Sequence, residues 1–80
     1  MEIKSHSMDE APVYSCEVIV LDKWLKPHIT PYSKKYNNFN VRDCDSEEDA
    51  EALAYDKSCY RRWIYADQLV WQMEADYEAQ

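Results

Sequence analysis

Eighty residues carrying nine Lys/Arg against sixteen Asp/Glu, a formal net charge of −7, bound the chain to one small domain, near the lower size at which a single core sustains a fold. A hydrophobic content of 46%, with seven Tyr and three Trp, excludes an intrinsically disordered chain, and the absence of glycine excludes every Gly-dependent nucleotide-binding loop. The acid excess also disfavours direct binding to nucleic acid.

Residues 1–12 are polar and unpatterned and end at a proline, which predicts a flexible N-terminal arm, with Glu2 to Lys4 as a possible short edge strand. Residues 13–80 are then the single domain. The opening lacks an apolar export segment, and nowhere do eighteen apolar residues run together, so a soluble, cytoplasmic protein without a membrane partner is expected. Cys16, Cys44 and Cys59 are odd in number and contain no CxxC pair, which predicts free thiols.

The run from Val13 to Leu21 is rich in β-branched residues and places Tyr14, Cys16, Val18 and Val20 on one face of a strand. The stretch from Asp22 to Lys35, with Pro27 and Pro31, predicts a basic loop. A second strand follows over Lys35 to Asp43, with Phe39 and Val41 on one face. From Ser46 onward there is neither proline nor glycine, and Ala52, Tyr55, Cys59, Trp63, Ala66, Val70, Met73 and Tyr77 recur every three or four residues. One helix of that length would reach about 50 Å, against a radius of gyration of roughly 12 Å for a globule of this size, so a break at Asp56 to Cys59 is expected. The fold class is α+β: an antiparallel two- or three-stranded sheet packed against two C-terminal helical segments, in the order ββαα.

The segment Asp43 to Asp56 packs seven carboxylates into fourteen positions. Ser46 with Asp49 resembles a capping box, and acids in a first helical turn complement the dipole, which accounts for some of them. A calcium loop fails, since Glu48 and Ala54 occupy its glycine and glutamate positions, and no Cys/His pair has zinc spacing, so no metal or cofactor is expected. Neither histidine sits where an element would fix a catalytic geometry, and no enzyme activity is expected.

Dividing the charge by position is more informative. Residues 1–42 hold six cations and five acids, whereas residues 43–80 hold three and eleven. With the apolar stripe buried, Asp43, Asp45, Glu47, Glu48, Glu51 and Asp56, followed by Asp67, Glu74, Asp76 and Glu78, form the candidate partner-binding set. Carboxylates in rows along a helix can stand in for phosphates before a basic groove. The lysine loop with Trp24, Tyr32 and Tyr36 is expected to cover the sheet.

In brevity, aromatic content, a strand pair and the run "NVRDCDSEEDAEALAY" leading from strand into acidic helix, the chain resembles small acidic phage-encoded inhibitors, a group that includes anti-CRISPR proteins and DNA mimics. The resemblance implies a non-enzymatic inhibitor acting in the host cytoplasm on the basic nucleic-acid-binding surface of a defence or nucleic-acid-processing complex. The alternative is a homodimeric adaptor or antitoxin-like protein that associates through the Trp63–Val70–Tyr77 stripe; monomer and homodimer both stay open.

Overall fold

A computed structural model describes residues 3–79. Its elements are β1 (His6–Ser7), β2 (Cys16–Asp22), β3 (Pro27–Ser33), β4 (Asn38–Phe39), helix α1 (Glu47–Leu53), a 3-10 turn (Lys57–Cys59), β5 (Tyr60–Tyr65) and helix α2 (Ala66–Glu78). The strands form one antiparallel sheet in the order β1-β5-β2-β3-β4. The class is α+β, but the expected ββαα arrangement is overturned: five strands replace two or three, and only α2 follows the sheet, α1 being inserted between β4 and β5.

Two strands lie where other structure was expected. β3 occupies the predicted basic loop, and its prolines fit because of where their amides point. Lys26 O accepts from Asp22 N on the β2 side (3.0 Å), whereas Pro31 O accepts from Asn40 N on the opposite side (2.8 Å). The odd-numbered residues of β3 therefore face away from β2, and at Pro27 and Pro31 no ladder hydrogen bond to β2 is lost. Beyond its short pairing with β4, that edge offers few donors to an added strand.

β5 occupies the middle of the predicted helical stretch. Its sequence, YRRWIY, is dominated by aromatic and β-branched residues that favour a pleated surface. Trp63 points inward opposite Val20, is almost fully buried, and donates its indole N–H to Ser7 O (3.1 Å) and Glu10 O (3.0 Å). Tertiary burial of this one ring overrides the helical spacing. A register shift at Leu21/Asp22 leaves Arg61 as the extra residue of a bulge, from which its guanidinium donates to Lys23 O (3.2 Å).

The core consists of Met8, Val18, Val20, Tyr32, Phe39 and Trp63, with Cys16, Tyr55, Tyr60 and Tyr65 packed around it. The segment expected as an arm is docked onto this core. His6 stacks on Trp63 with centroids 4.4 Å apart, and Met8 and Pro12 are buried. Met1 and Glu2 lie outside the described residues, and the edge strand falls at His6–Ser7, not at Ile3 or Lys4. The second predicted strand contracts to Asn38–Phe39, although Phe39 and Val41 are both buried.

Helix α1 is capped by Ser46, whose hydroxyl accepts from Asp49 N (3.2 Å), and buries Ala50. Helix α2 buries no residue, and its contacts with the sheet are to β2 and β5. The radius of gyration of 13.6 Å and a long axis of 47 Å are those of a molecule with a projecting element.

Candidate protein-binding surface

The ten carboxylates singled out from the sequence divide into two groups. Three lie outside the helices and accept hydrogen bonds that fix the chain. Asp43 accepts from Ser33 Oγ (2.6 Å) and Ser15 Oγ (2.8 Å), and these hydrogen bonds hold its pKa below the usual carboxylate value. Asp45 accepts from Arg42 N (2.8 Å), and its carbonyl receives the Tyr36 hydroxyl. Asp56 caps the 3-10 turn by accepting from Ser58 Oγ (2.7 Å) and Ser58 N (3.0 Å), which lowers its pKa. Asp45 and Asp56 stabilise turns, and Asp43 ties the segments of Ser15 and Ser33 together.

The other seven project from the helices and are exposed. Glu47, Glu48 and Glu51 lie on α1, where Glu47, Glu48 and Asp49 fill the first turn and interact favourably with the positive end of its dipole. Asp67 starts α2 and accepts from the Tyr14 hydroxyl (3.3 Å); Asp76 accepts from Gln72 Nε2 (3.0 Å). Glu74, Asp76 and Glu78 occupy the C-terminal half of α2, whose last turn contains no cation. Carboxylates there face the negative end of the dipole and weaken the helix that carries them.

The two helices together contain eight Asp/Glu and not one Lys or Arg. Among the described residues the only oppositely charged pairs within 4 Å involve histidine: His6 with Glu10, and His28 with Asp22. Among the described residues no Lys or Arg therefore pairs with a helical carboxylate within 4 Å. Residues 14 and 15 tie the roots of both acidic segments to one end of the sheet, through Tyr14 to Asp67 and Ser15 to Asp43.

Large apolar side chains are exposed beside these acids. On α2, Leu69, Val70, Met73 and Tyr77 share one side by helical period, and Trp71 falls among Asp67, Glu74 and Glu78 on the adjacent side. The expected Trp63–Val70–Tyr77 stripe does not exist as a helix face, because Trp63 is in the sheet core. A second exposed apolar surface lies on the sheet. The outer face of the sheet carries Ile19, Leu21, Ile29 and Ile64 in register, with a hollow of about 250 Å³ lined by Ile19, Leu21, Pro27, Ile64 and Arg62.

Of Trp24, Tyr32 and Tyr36, expected to cover the sheet, Tyr32 joins the core, whereas Trp24 stands exposed beside Leu25 at the tip of the β2–β3 turn. Asp22 holds that turn, accepting from Trp24 N (2.9 Å), Lys26 N (2.8 Å) and His28 Nε2 (2.8 Å); the His28 contact is the leading cause of its lowered pKa.

Among the described residues no group of three or more His, Cys, Asp or Glu is placed to hold a metal ion, and no helix is long and apolar enough to cross a membrane. Cys16, Cys44 and Cys59 are not paired with one another. A scan of protein-family models and searches of curated proteins and solved structures return no match.

Proposed function

We propose that this chain is a non-enzymatic cytoplasmic protein that binds the basic nucleic-acid-binding surface of another protein and so inhibits it, in the manner of the small acidic anti-CRISPR or DNA-mimic inhibitors it resembles in size and composition. One observation carries the reading: Glu74, Asp76 and Glu78 stand exposed at the end of a projecting helix where their charge opposes the helix dipole and, among the described residues, no Lys or Arg pairs with them. Local stability does not account for them; a positively charged counterpart does. A lysine- and arginine-lined channel already holds like charges together and gains by exchanging its counterions for fixed carboxylates.

The contact is mixed in character. Trp71 between Asp67, Glu74 and Glu78 supplies an aromatic anchor suited to stack on an arginine of the same channel. The acids of α1 enlarge the negative surface, while Asp43, Asp45 and Asp56 hold the turns that lead into it.

The test is non-covalent affinity capture from host lysate, followed by competition. The captured protein is expected to have a basic surface and to be released by its own DNA or RNA ligand in proportion to that ligand's affinity. Capture that persists undiminished under saturating nucleic acid contradicts the proposal.

A further inference from the structure

Two apolar surfaces of this chain are left uncovered by its own fold, and each has the form the other lacks. The first is the side of α2 bearing Leu69, Val70, Met73 and Tyr77, exposed by 37%, 53%, 64% and 78%. The second is the outer face of the sheet, where Ile29 is 72% exposed, Ile19, Leu21 and Ile64 are half-buried, and the hollow of about 250 Å³ lies beside Trp63. A sheet with one apolar face open normally carries a helix on it. We propose that a second copy of this chain supplies that helix, so that two copies pair reciprocally, the α2 of each lying on the outer sheet face of the other.

Dimensions, area and charge each favour this occupant. The thirteen residues of α2 extend about 20 Å, close to the length of the seven-residue strands β2 and β3 on which they would lie. The four stripe residues offer on the order of 400 Å² of accessible surface, and the sheet face adds exposed Ile29 and half-buried Ile19, Leu21 and Ile64. Because each copy donates both a helix and a face, the reciprocal contact doubles a single one, toward the roughly 800 Å² per partner of a standard stable interface. One contact alone would fall short.

Charge separates this arrangement from direct pairing of two α2 helices. Glu74 and Asp76 flank the stripe on opposite sides, and α2 has no cation, so two such helices laid together would align carboxylates along both borders of the seam. The sheet face instead has Arg62 at the rim of its hollow, its guanidinium held by donating to Ser5 Oγ (2.7 Å) and Ser5 O (2.8 Å). Glu17 lies toward the other end of the face, beside Val70 and Asp67 of its own chain. In the pair, Asp67, Trp71, Glu74 and Glu78 remain turned to solvent, so each dimer would present two acidic rows.

The experiment is sedimentation equilibrium of the full chain and of Ile29→Glu and Met73→Glu, with circular dichroism confirming that each variant is folded; both positions are exposed, so folding should survive. The wild-type chain of 9.6 kDa is expected to sediment at twice that mass at tens of micromolar, and each variant as a monomer. A wild-type monomer throughout that range overturns the proposal. So does a dimer that survives Ile29→Glu, which would mean helix-to-helix pairing, or one that survives Met73→Glu, which would mean sheet-to-sheet pairing.

Discussion

Tyr14 donates its hydroxyl to Asp67 across 53 positions of sequence, at 3.3 Å, while its ring stacks on Tyr65 with centroids 5.4 Å apart. Tyr14, two residues before β2, thereby clamps the junction between β5 and α2, and its neighbour Ser15 does the same for the approach to α1. The direction in which α2 projects is set by this contact together with the few it makes to β2 and β5.

Tyr14→Phe removes only the hydrogen bond, at an exposed site, and should cost about 0.5 kcal/mol or less. Tyr14→Ala removes the stacked ring as well and should cost about 1–2 kcal/mol. Urea titration measures both. Hydrogen exchange should show the loss concentrated in the first turn of α2, with β2 and β3 unaffected.

Trp63 has a different standing, since it joins the N-terminal segment to the core. Trp63→Ala should cost about 3–5 kcal/mol, most of the stability of a domain this small. Trp63→Phe keeps part of the packing but leaves Ser7 O and Glu10 O without their donor. That variant should remain folded while residues 3–12 become open to limited proteolysis, which is the measurement to make.

How much of this was legible beforehand varies by element. β2 could be read because it alternates cleanly, and the face of Cys16, Val18 and Val20 is the inner one. The start of α1 was visible in Ser46 and Asp49. β3 was hidden because a proline reports a missing amide hydrogen without reporting the direction it would have pointed. β5 was hidden because Cys59, Trp63 and Ala66 continue a helical spacing that only the burial of Trp63 contradicts. The acidic segment was plain, but the local roles of Asp43 were not, since Ser15 and Ser33 are 28 and 10 residues away.

Without glycine, the turns place ordinary residues in the left-handed region: Leu25 (φ 65°), Asn37 (φ 54°) and Asn40 (φ 63°). Asparagine tolerates this conformation, whereas leucine adopts it at a cost. Leu25→Gly should stabilise the protein by about 1 kcal/mol, because Leu25 is exposed and loses little packing. Thermal or urea unfolding gives the value; no change, or destabilisation, would mean that Leu25 is held by contacts other than the Asp22 turn.

Asp22, Asp43 and Asp56 all have pKa values lowered in the folded state by the hydrogen bonds they accept. The unfolded chain therefore binds protons more readily than the folded one. Their stabilising contribution is full above the unfolded carboxylate value of about 3.9 and is lost as pH falls through the folded values. Unfolding free energy should decline below about pH 4. In Asp43→Asn, which cannot titrate, the decline should be shallower.

The charge on α2 is the centre of the account, and it makes two effects of one variant run in opposite directions. Replacing Glu74, Asp76 and Glu78 by lysine should stabilise the helix, by about 0.5 kcal/mol per site, while weakening capture of the basic partner and flattening the dependence of its affinity on salt. Affinity for the captured partner, measured for wild type and this triple variant from low to high salt, is the most direct test. A gain in stability with a large loss of low-salt affinity is the expected result; unchanged affinity and an unchanged salt slope in the stabilised variant would contradict the account.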